Sequence, residues 1–168
     1  MKAQDYQAVV AAPGFALGVR CNHDEILGID FLEARAEQSP KTLLAKEAVR
    51  QLRAYMKDPG FDLGLPLAPA GTPFQRRVWE RIALIPPGHT KSYGELAGEL
   101  ATAPRAVGGA CGANLYPIVV PCHRVIAADG ALGGFARERG GLLLAIKHWL
   151  LEHERPSPRS DYGSQRSQ

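Results

Sequence analysis

Residues 92–114 read SYGELAGELATAPRAVGGACGAN, and the way they fold decides the architecture of the chain. Ser92 and Glu95 have the spacing of a capping box, and Leu96, Ala97 and Leu100 follow at helical intervals. A second helix over the rest must accommodate Gly108, Gly109 and Gly112, each costing about 1 kcal/mol relative to alanine. Such a helix makes sense only if something approaches its backbone closely. Two short helices joined by a tight turn, the second small-faced, form a helix-turn-helix pattern.

Upstream, Thr72-Pro73 has the form of a helix start, and Phe74, Val78, Ile82 and Ile85 recur at helical spacing until Pro86-Pro87-Gly88. Earlier still, YQAVVAA, FALGVRC and ILGIDFLE are short β-prone runs separated by turn-forming PG and NHDE, which predicts an antiparallel meander. Ser39-Pro40 then reads as the start of a helix that Pro59-Gly60 ends, and LGLPLAPAG reads as a linker. Downstream, LLLAIKHWLLEHE places Leu143, Ile146 and Leu150 on one helical face. The expected fold is α+β. A small antiparallel sheet with a helix occupies residues 1–68, and a mainly helical unit carrying the helix-turn-helix occupies 69–155. The tail 156–168 has almost nothing to bury and is expected to be disordered.

Composition narrows the class. The chain has 168 residues, 45% hydrophobic and 22% charged, which is ordinary globular composition. No apolar run reaches membrane-spanning length, and the N-terminus lacks the apolar core of a signal peptide, so no membrane partner is expected. Cys21, Cys111 and Cys122 are an odd number without a Cys-x-x-Cys pair, which points to a reducing, cytoplasmic setting. Residues 1–68 carry 8 Lys/Arg against 9 Asp/Glu, whereas 69–155 carry 10 against 7. The second unit is therefore mildly basic, which permits a polyanion partner without demanding one.

The chemistry centres on PIVVPCHRV, residues 117–125. A buried cysteine is most often a small hydrophobe. A metal site has little support, because Cys122 and His123 are adjacent and no second Cys/His cluster stands at ligand spacing. A nucleophile needs an activator, since an ordinary thiol is only a few per cent ionised at neutral pH. His123 is the candidate base and Glu154, at the end of the last helix, the candidate acid that orients it. Adjacent strand residues point to opposite faces, so Cys122 and His123 must sit at a bend.

The stretches FQRRVWERIALIPPGHTKSYGELA, RAVGGACGAN and PIVVPCHRVIAADGALGGF closely resemble the O6-alkylguanine-DNA alkyltransferases, continuously from about Thr72 to Glu154. The resemblance implies an RNase H-like first domain and a winged-helix-like DNA-binding motif in the second. It implies irreversible, stoichiometric transfer of an alkyl group from guanine O6, in double-stranded DNA, to Cys122. His123 would draw the thiol proton through a water, Glu154 would orient His123, and Asn114 would organise the turn before the thiol. Tyr93 would donate a proton to guanine N3, and the carbonyls of Cys122 and Val125 would accept from the exocyclic amine. The target nucleotide would be flipped out, with Arg105 filling the gap in the stack. Ala106, Gly108, Gly109, Ala110 and Gly112 would lie against the minor groove. Cys111, Val125, Phe135, Ala136 and Arg137 would line the substrate pocket. The resemblance implies no cofactor, no metal and a monomer.

Some features depart from that pattern. The turn between Tyr93 and Arg105 is about two residues short, and FARERGG puts Arg137 and Arg139 at the pocket lip, which would disfavour bulky adducts such as benzyl. Arg124 has two readings, clamping the halves together or positioning DNA. Trp79 and Trp149 read as core, and His89, His148 and His153 as exposed. The rival function is a non-catalytic sensor of alkylated DNA, but relatives of that kind lack the acceptor cysteine that Cys122 supplies here.

Overall fold

In the computed structural model, residues 5–128, 130 and 141–156 are described. Strands β1 (Ala8–Ala12), β2 (Phe15–Cys21) and β3 (Ile26–Glu33) form an antiparallel meander in the order β1-β2-β3. The β1–β2 turn needs only Pro13 and Gly14, and Gly14 takes the left-handed conformation (φ 83°) that glycine adopts without steric penalty. At the β2–β3 turn, Asn22 Oδ1 accepts from the amides of Asp24 (2.9 Å) and Glu25 (2.7 Å), which closes the reversal locally.

Helix α1 (Leu43–Lys57) crosses β1 and β2 and buries Ala45, Ala48, Val49, Leu52 and Tyr55 at intervals of three and four. It starts later than Ser39-Pro40. The cap is Thr42, whose hydroxyl accepts from Ala45 N–H at 3.1 Å. The intervening residues are pinned to β1 instead: Gln38 exchanges backbone bonds with Val9, and Lys41 N–H donates to Gln7. The LGLPLAPAG stretch is likewise no loose linker. Ile26 N–H donates to Pro66, Ala68 N–H donates to Ile26, and Leu65 is buried, so the stretch runs along β3 as an extra extended segment.

Helix α2 (Pro73–Ile82) opens with a complete capping box between Thr72 and Gln75. It ends before Ile85, which is buried just beyond it. Helix α3 (Tyr93–Glu99) is capped by Ser92, whose hydroxyl accepts from Glu95 N–H. Helix α4 (Pro104–Gly112) follows after a turn in which Ala101 takes a left-handed conformation (φ 53°). The two helices pack on each other, and α4 packs on α2, as a helix-turn-helix. They bury Leu96, Ala97, Val107, Ala110 and Cys111 but leave Leu100 half-buried. A short parallel pair, β4 (Lys91–Ser92) with β5 (Val125–Ile126), ties the motif to the Cys122 segment.

Helix α5 (Gly141–Glu154) packs on the turn at Cys122–Arg124 and buries Ile146, Lys147, Leu150 and Glu154, with Leu143 half-buried. One hydrophobic cluster runs from Ala8 and Leu17 through Leu52, Ile82 and Leu96 to Leu150, so the sheet layer and the helical layer share a core. Trp149 sits at its margin, half-buried, edge-on to Phe15 with centroids 5.5 Å apart. Trp79 is buried, and its indole donates to Ala110 O at 2.8 Å, fixing the tilt of α4 against α2. Trp79→Phe is expected to cost about 2 kcal/mol through that lost bond and the volume removed. The midpoint of urea unfolding would report it.

Candidate active site

Cys122, His123 and Arg124 form one turn of 3₁₀ helix, the bend that their adjacency required. All three are buried, with Cys122 3% and His123 1% exposed. The approach to this turn is held under tension. Ile118 has φ 75°, a conformation a β-branched residue adopts at a cost of about 1–3 kcal/mol. Asn114 brackets that loop: its Oδ1 accepts from Tyr116 N–H (2.8 Å) and its Nδ2 donates to Val120 O (2.9 Å). The same Nδ2 lies 3.3 Å from Cys122 Sγ, so one amide shapes the loop and touches the thiol.

Behind the thiol, Glu154 organises three elements. Its Oε2 accepts from His123 Nε2 (2.9 Å), Arg124 NH2 (2.7 Å) and Tyr55 OH (2.7 Å), and its Oε1 accepts from Arg124 Nε (2.9 Å). Arg124 also donates to Ile85 O at 2.6 Å. Of its two readings, the structure selects the internal clamp: the guanidinium is spent on Glu154 and a backbone carbonyl and does not face outward. Burial alone would raise the Glu154 carboxyl. The hydrogen bonds from Arg124, His123 and Tyr55 outweigh it and hold the group well below the usual carboxylate range. Burial pulls His123 down, against the hydrogen bond to Glu154, so the imidazole is neutral at pH 7. The adjacent Cys111 thiol and burial push the Cys122 thiol up, while Asn114 and Lys147 oppose them. At rest, then, the site holds a protonated thiol, a neutral imidazole and a carboxylate.

Both shifts behind the thiol destabilise the fold in acid. His123 is lowered from about 6.5, so below that pH the unfolded chain binds more protons and stability falls. The stabilisation from Glu154 is present above its unfolded value near 4.3 and is lost as pH falls from there toward its lower folded value. The urea midpoint should decline from about pH 6.5 downward and more steeply below about 4.5. His123→Gln should flatten the upper part of that decline.

Lys147 belongs to the site but was not singled out from sequence. It is fully buried (0% exposed), donates to Val125 O at 2.7 Å and lies 5.8 Å from the centroid of the Tyr93 ring. Burial lowers its ammonium to about 8, opposed by Cys111 and Cys122. The signal was there: a charge on the apolar face of α5, one turn from both Leu143 and Leu150. Tyr55 was missed as well, with less to mark it, since a tyrosine on a buried helical stripe reads as ordinary core. His153, expected to be exposed, is half-buried against Tyr55, with Nε2 2.8 Å from Tyr55 O.

A cavity of about 350 Å³ reaches the thiol, lined by Cys111, Asn114, Pro117, Cys122 and Leu143 and, from β3, by Ile29 to Leu32. A larger depression of about 680 Å³ on the outer face of α1 contains neither thiol nor imidazole and is far from this chemistry. Tyr93, half-buried at the first residue of α3, has its phenol raised by burial and then by Cys111 and Cys122, so it stays protonated. Val125 O, expected to meet a guanine amine, already accepts from Lys147 with one of its lone pairs. Arg105 is exposed in the first turn of α4, Ala106, Gly108 and Gly112 are half-buried, and Gly109 is exposed. Ala110 departs from expectation. It is buried (2% exposed) with its carbonyl on Trp79, so it packs α4 inward rather than facing a groove. Phe135, Ala136, Arg137 and Arg139 lie outside the described residues.

A family model described as 6-O-methylguanine DNA methyltransferase, DNA binding domain, matches residues 73–156. A methylated-DNA–protein-cysteine methyltransferase of Methanosarcina barkeri is 36% identical over 157 residues, covering 89% of this chain and 96% of that protein. The chain belongs to the 6-O-methylguanine DNA methyltransferase family. Among other members, a methylated-DNA–protein-cysteine methyltransferase of Salmonella typhimurium is 52% identical over 92 residues, 54% of this chain and 51% of that one. The chain thus spans about half the length of that relative, and 29% of the Salmonella regulatory protein Ada, to which it is 45% identical over 102 residues. In structure it is similar to Mycobacterium tuberculosis OGT in complex with DNA, with TM-score 0.73, 35% identity and coverage of 88% of this chain and 91% of that one. Of the residues gathered here, Cys122 and Asn114 line the cavity, while His123 and Glu154 lie buried behind the thiol.

Proposed function

We propose that the protein repairs DNA by direct reversal, moving the alkyl group of O6-alkylguanine in a duplex onto Cys122. The observation that carries this reading is a thiol at the end of a cavity, backed by a neutral His123 whose Nε2 is 2.9 Å from the Glu154 carboxylate. With Nε2 engaged, Nδ1 is the nitrogen left to take the thiol proton, through a water. Sulfur attacks the alkyl carbon, the S–C bond forms as the C–O6 bond breaks, and the electron pair leaves with guanine. The protonated Tyr93 phenol would donate toward guanine N3, so the base departs neutral, and the proton held by His123 balances the phenolate left on Tyr93. The product is a thioether that no group at the site can cleave, so each molecule acts once. O4-alkylthymine would fit the same chemistry.

On this reading α3–α4 with β4 and β5 form a winged-helix-like module, residues 1–68 form an RNase H-like unit, and residues 69–155 carry the site. Gly108 and Gly109 of α4 would face the minor groove, with Arg105 entering the stack as the damaged base flips out. The protein would act as a cytoplasmic monomer without a cofactor.

The test is intact-protein mass spectrometry after mixing with a duplex containing one O6-methylguanine. One added methyl group that maps to Cys122, and is absent in Cys122→Ser, is the expected result. Tight binding with no mass change would make the protein a damage sensor and sink the transfer reading.

A further inference from the structure

Glu154 Oε2 accepts from three side chains, Arg124 at 2.7 Å and two that arrive from other sides of the fold. His123 Nε2 reaches it from the thiol side at 2.9 Å, and Tyr55 OH reaches it from α1 at 2.7 Å. Tyr55 is 1% exposed and stands 99 residues from its acceptor, so the bond exists only because the sheet layer and α5 are packed together. Burial, then Glu154, push its phenol far above the ordinary tyrosine range, so it remains a donor at every working pH. Its orientation is also fixed. His153 meets the Tyr55 ring edge-on with centroids 5.2 Å apart, holds the Tyr55 carbonyl through Nε2, and stacks on Trp149 at 4.8 Å.

We propose that Tyr55 is a positioning residue of the transfer reaction: its phenol, donated from α1 to the carboxylate oxygen that holds His123, sets both the orientation and the proton affinity of the imidazole. The proposal rests on the transfer reading above and extends the site into the N-terminal layer. The physics is competition for one oxygen. A donor on Oε2 spreads its negative charge and makes it a weaker acceptor for the imidazole N–H. The imidazole is then held in place without being driven to its charged form, which could not accept the thiol proton. Other groups face this centre: His123 and Arg124 from the 3₁₀ turn, Lys147 and His153 from α5, and Tyr55 from α1. Arg124 and Lys147 both oppose a charged His123, and Glu154 favours it. Tyr55 moderates the one group that pulls the other way.

The test is Tyr55→Phe, which removes the hydroxyl and keeps the ring. Single-turnover methyl transfer from an O6-methylguanine duplex would be followed against pH, alongside the proton NMR shift of the His123 Nε2–H. Without the phenol the carboxylate pulls harder on the imidazole. The acid limb of the rate should move up by about half to one pH unit, and the rate at neutral pH should fall by up to about threefold. The Nε2–H resonance should move downfield while affinity for the duplex is unchanged. A purely structural clamp would lower the melting temperature but leave the limb and the resonance where they are, and that result would overturn the proposal. Should Tyr55→Phe fail to fold, 3-fluorotyrosine at position 55, a stronger donor of similar size, must shift limb and resonance the opposite way. If the wild-type protein transfers nothing, the resonance still decides the role of Tyr55, so failure of the two readings can be told apart.

Discussion

Glu154→Gln is expected to slow alkyl transfer on the order of a thousandfold and to destabilise the protein by about 3–5 kcal/mol. The two losses have different causes. The carboxylate accepts four hydrogen bonds, two from Arg124, one from His123 and one from Tyr55. An amide replaces one oxygen with a donor, which must face either the guanidinium or the imidazole–phenol pair. Arg124 is then a buried cation without its counter-charge, and this accounts for most of the lost stability. The lost rate comes from His123, which is no longer held with Nε2–H toward the acid and Nδ1 toward the thiol. A second variant separates them. In Glu154→Gln with Arg124→Met both charges are gone, so much of the stability should return while the rate stays low. Denaturant midpoints and single-turnover rates check both parts. A double variant as fast as wild type would remove Glu154 from the chemistry and leave it only the ion pair.

How much of this was legible beforehand depended on whether local chemistry or distant packing decided each feature. The meander was legible because β-prone runs were punctuated by turns with clear local chemistry, Pro13-Gly14 and the Asn22 side chain. Helix α2 was legible because Thr72 and Gln75 close its cap from residues three apart. The start of α1 was misread for the opposite reason. Ser39-Pro40 is a good local signal, but Gln38 and Lys41 bond to β1, and that long-range pairing outcompetes a helical turn. The stretch at 63–71 looked like a linker because its composition is that of one, and nothing local announces its bonds to Ile26. At the site, residue types and their setting single out Cys122, His123 and Glu154, the resemblance alone adds Asn114, and the structure brings the four together. Tyr55 and the final role of Arg124 could not be found in this way, since each depends on α1 and the Ile85 carbonyl arriving at the same carboxylate. Lys147 was findable: a charge among Leu143, Ile146 and Leu150 asks for an explanation.

Replacing both Gly108 and Gly109 with alanine is expected to stabilise the free protein by about 1–2 kcal/mol and to weaken binding to duplex DNA by one to two orders of magnitude. Both glycines lie inside α4, where glycine is the poorer helix former, and a Cβ built on either meets nothing within 4 Å. The fold therefore neither needs them nor would resist alanine, in contrast to Gly18, where a Cβ would run into the Tyr6 ring at 2.5 Å. If the sacrifice in helix stability has a purpose, it lies outside the chain, at a surface that α4 must approach closely. Ala110 and Cys111 face the core and Arg105 is exposed at the start of the helix, so the outer face of α4 is small and carries one cation. A minor groove fits such a face, being narrow and lined by phosphates, and two added methyl groups would hold the helix away from its floor. The signature to look for is opposition: a higher urea midpoint together with a weaker duplex affinity by fluorescence anisotropy. Greater stability with unchanged affinity would mean that α4 does not lie backbone-first against DNA, and the placement of the groove on Gly108 and Gly109 would have to be abandoned.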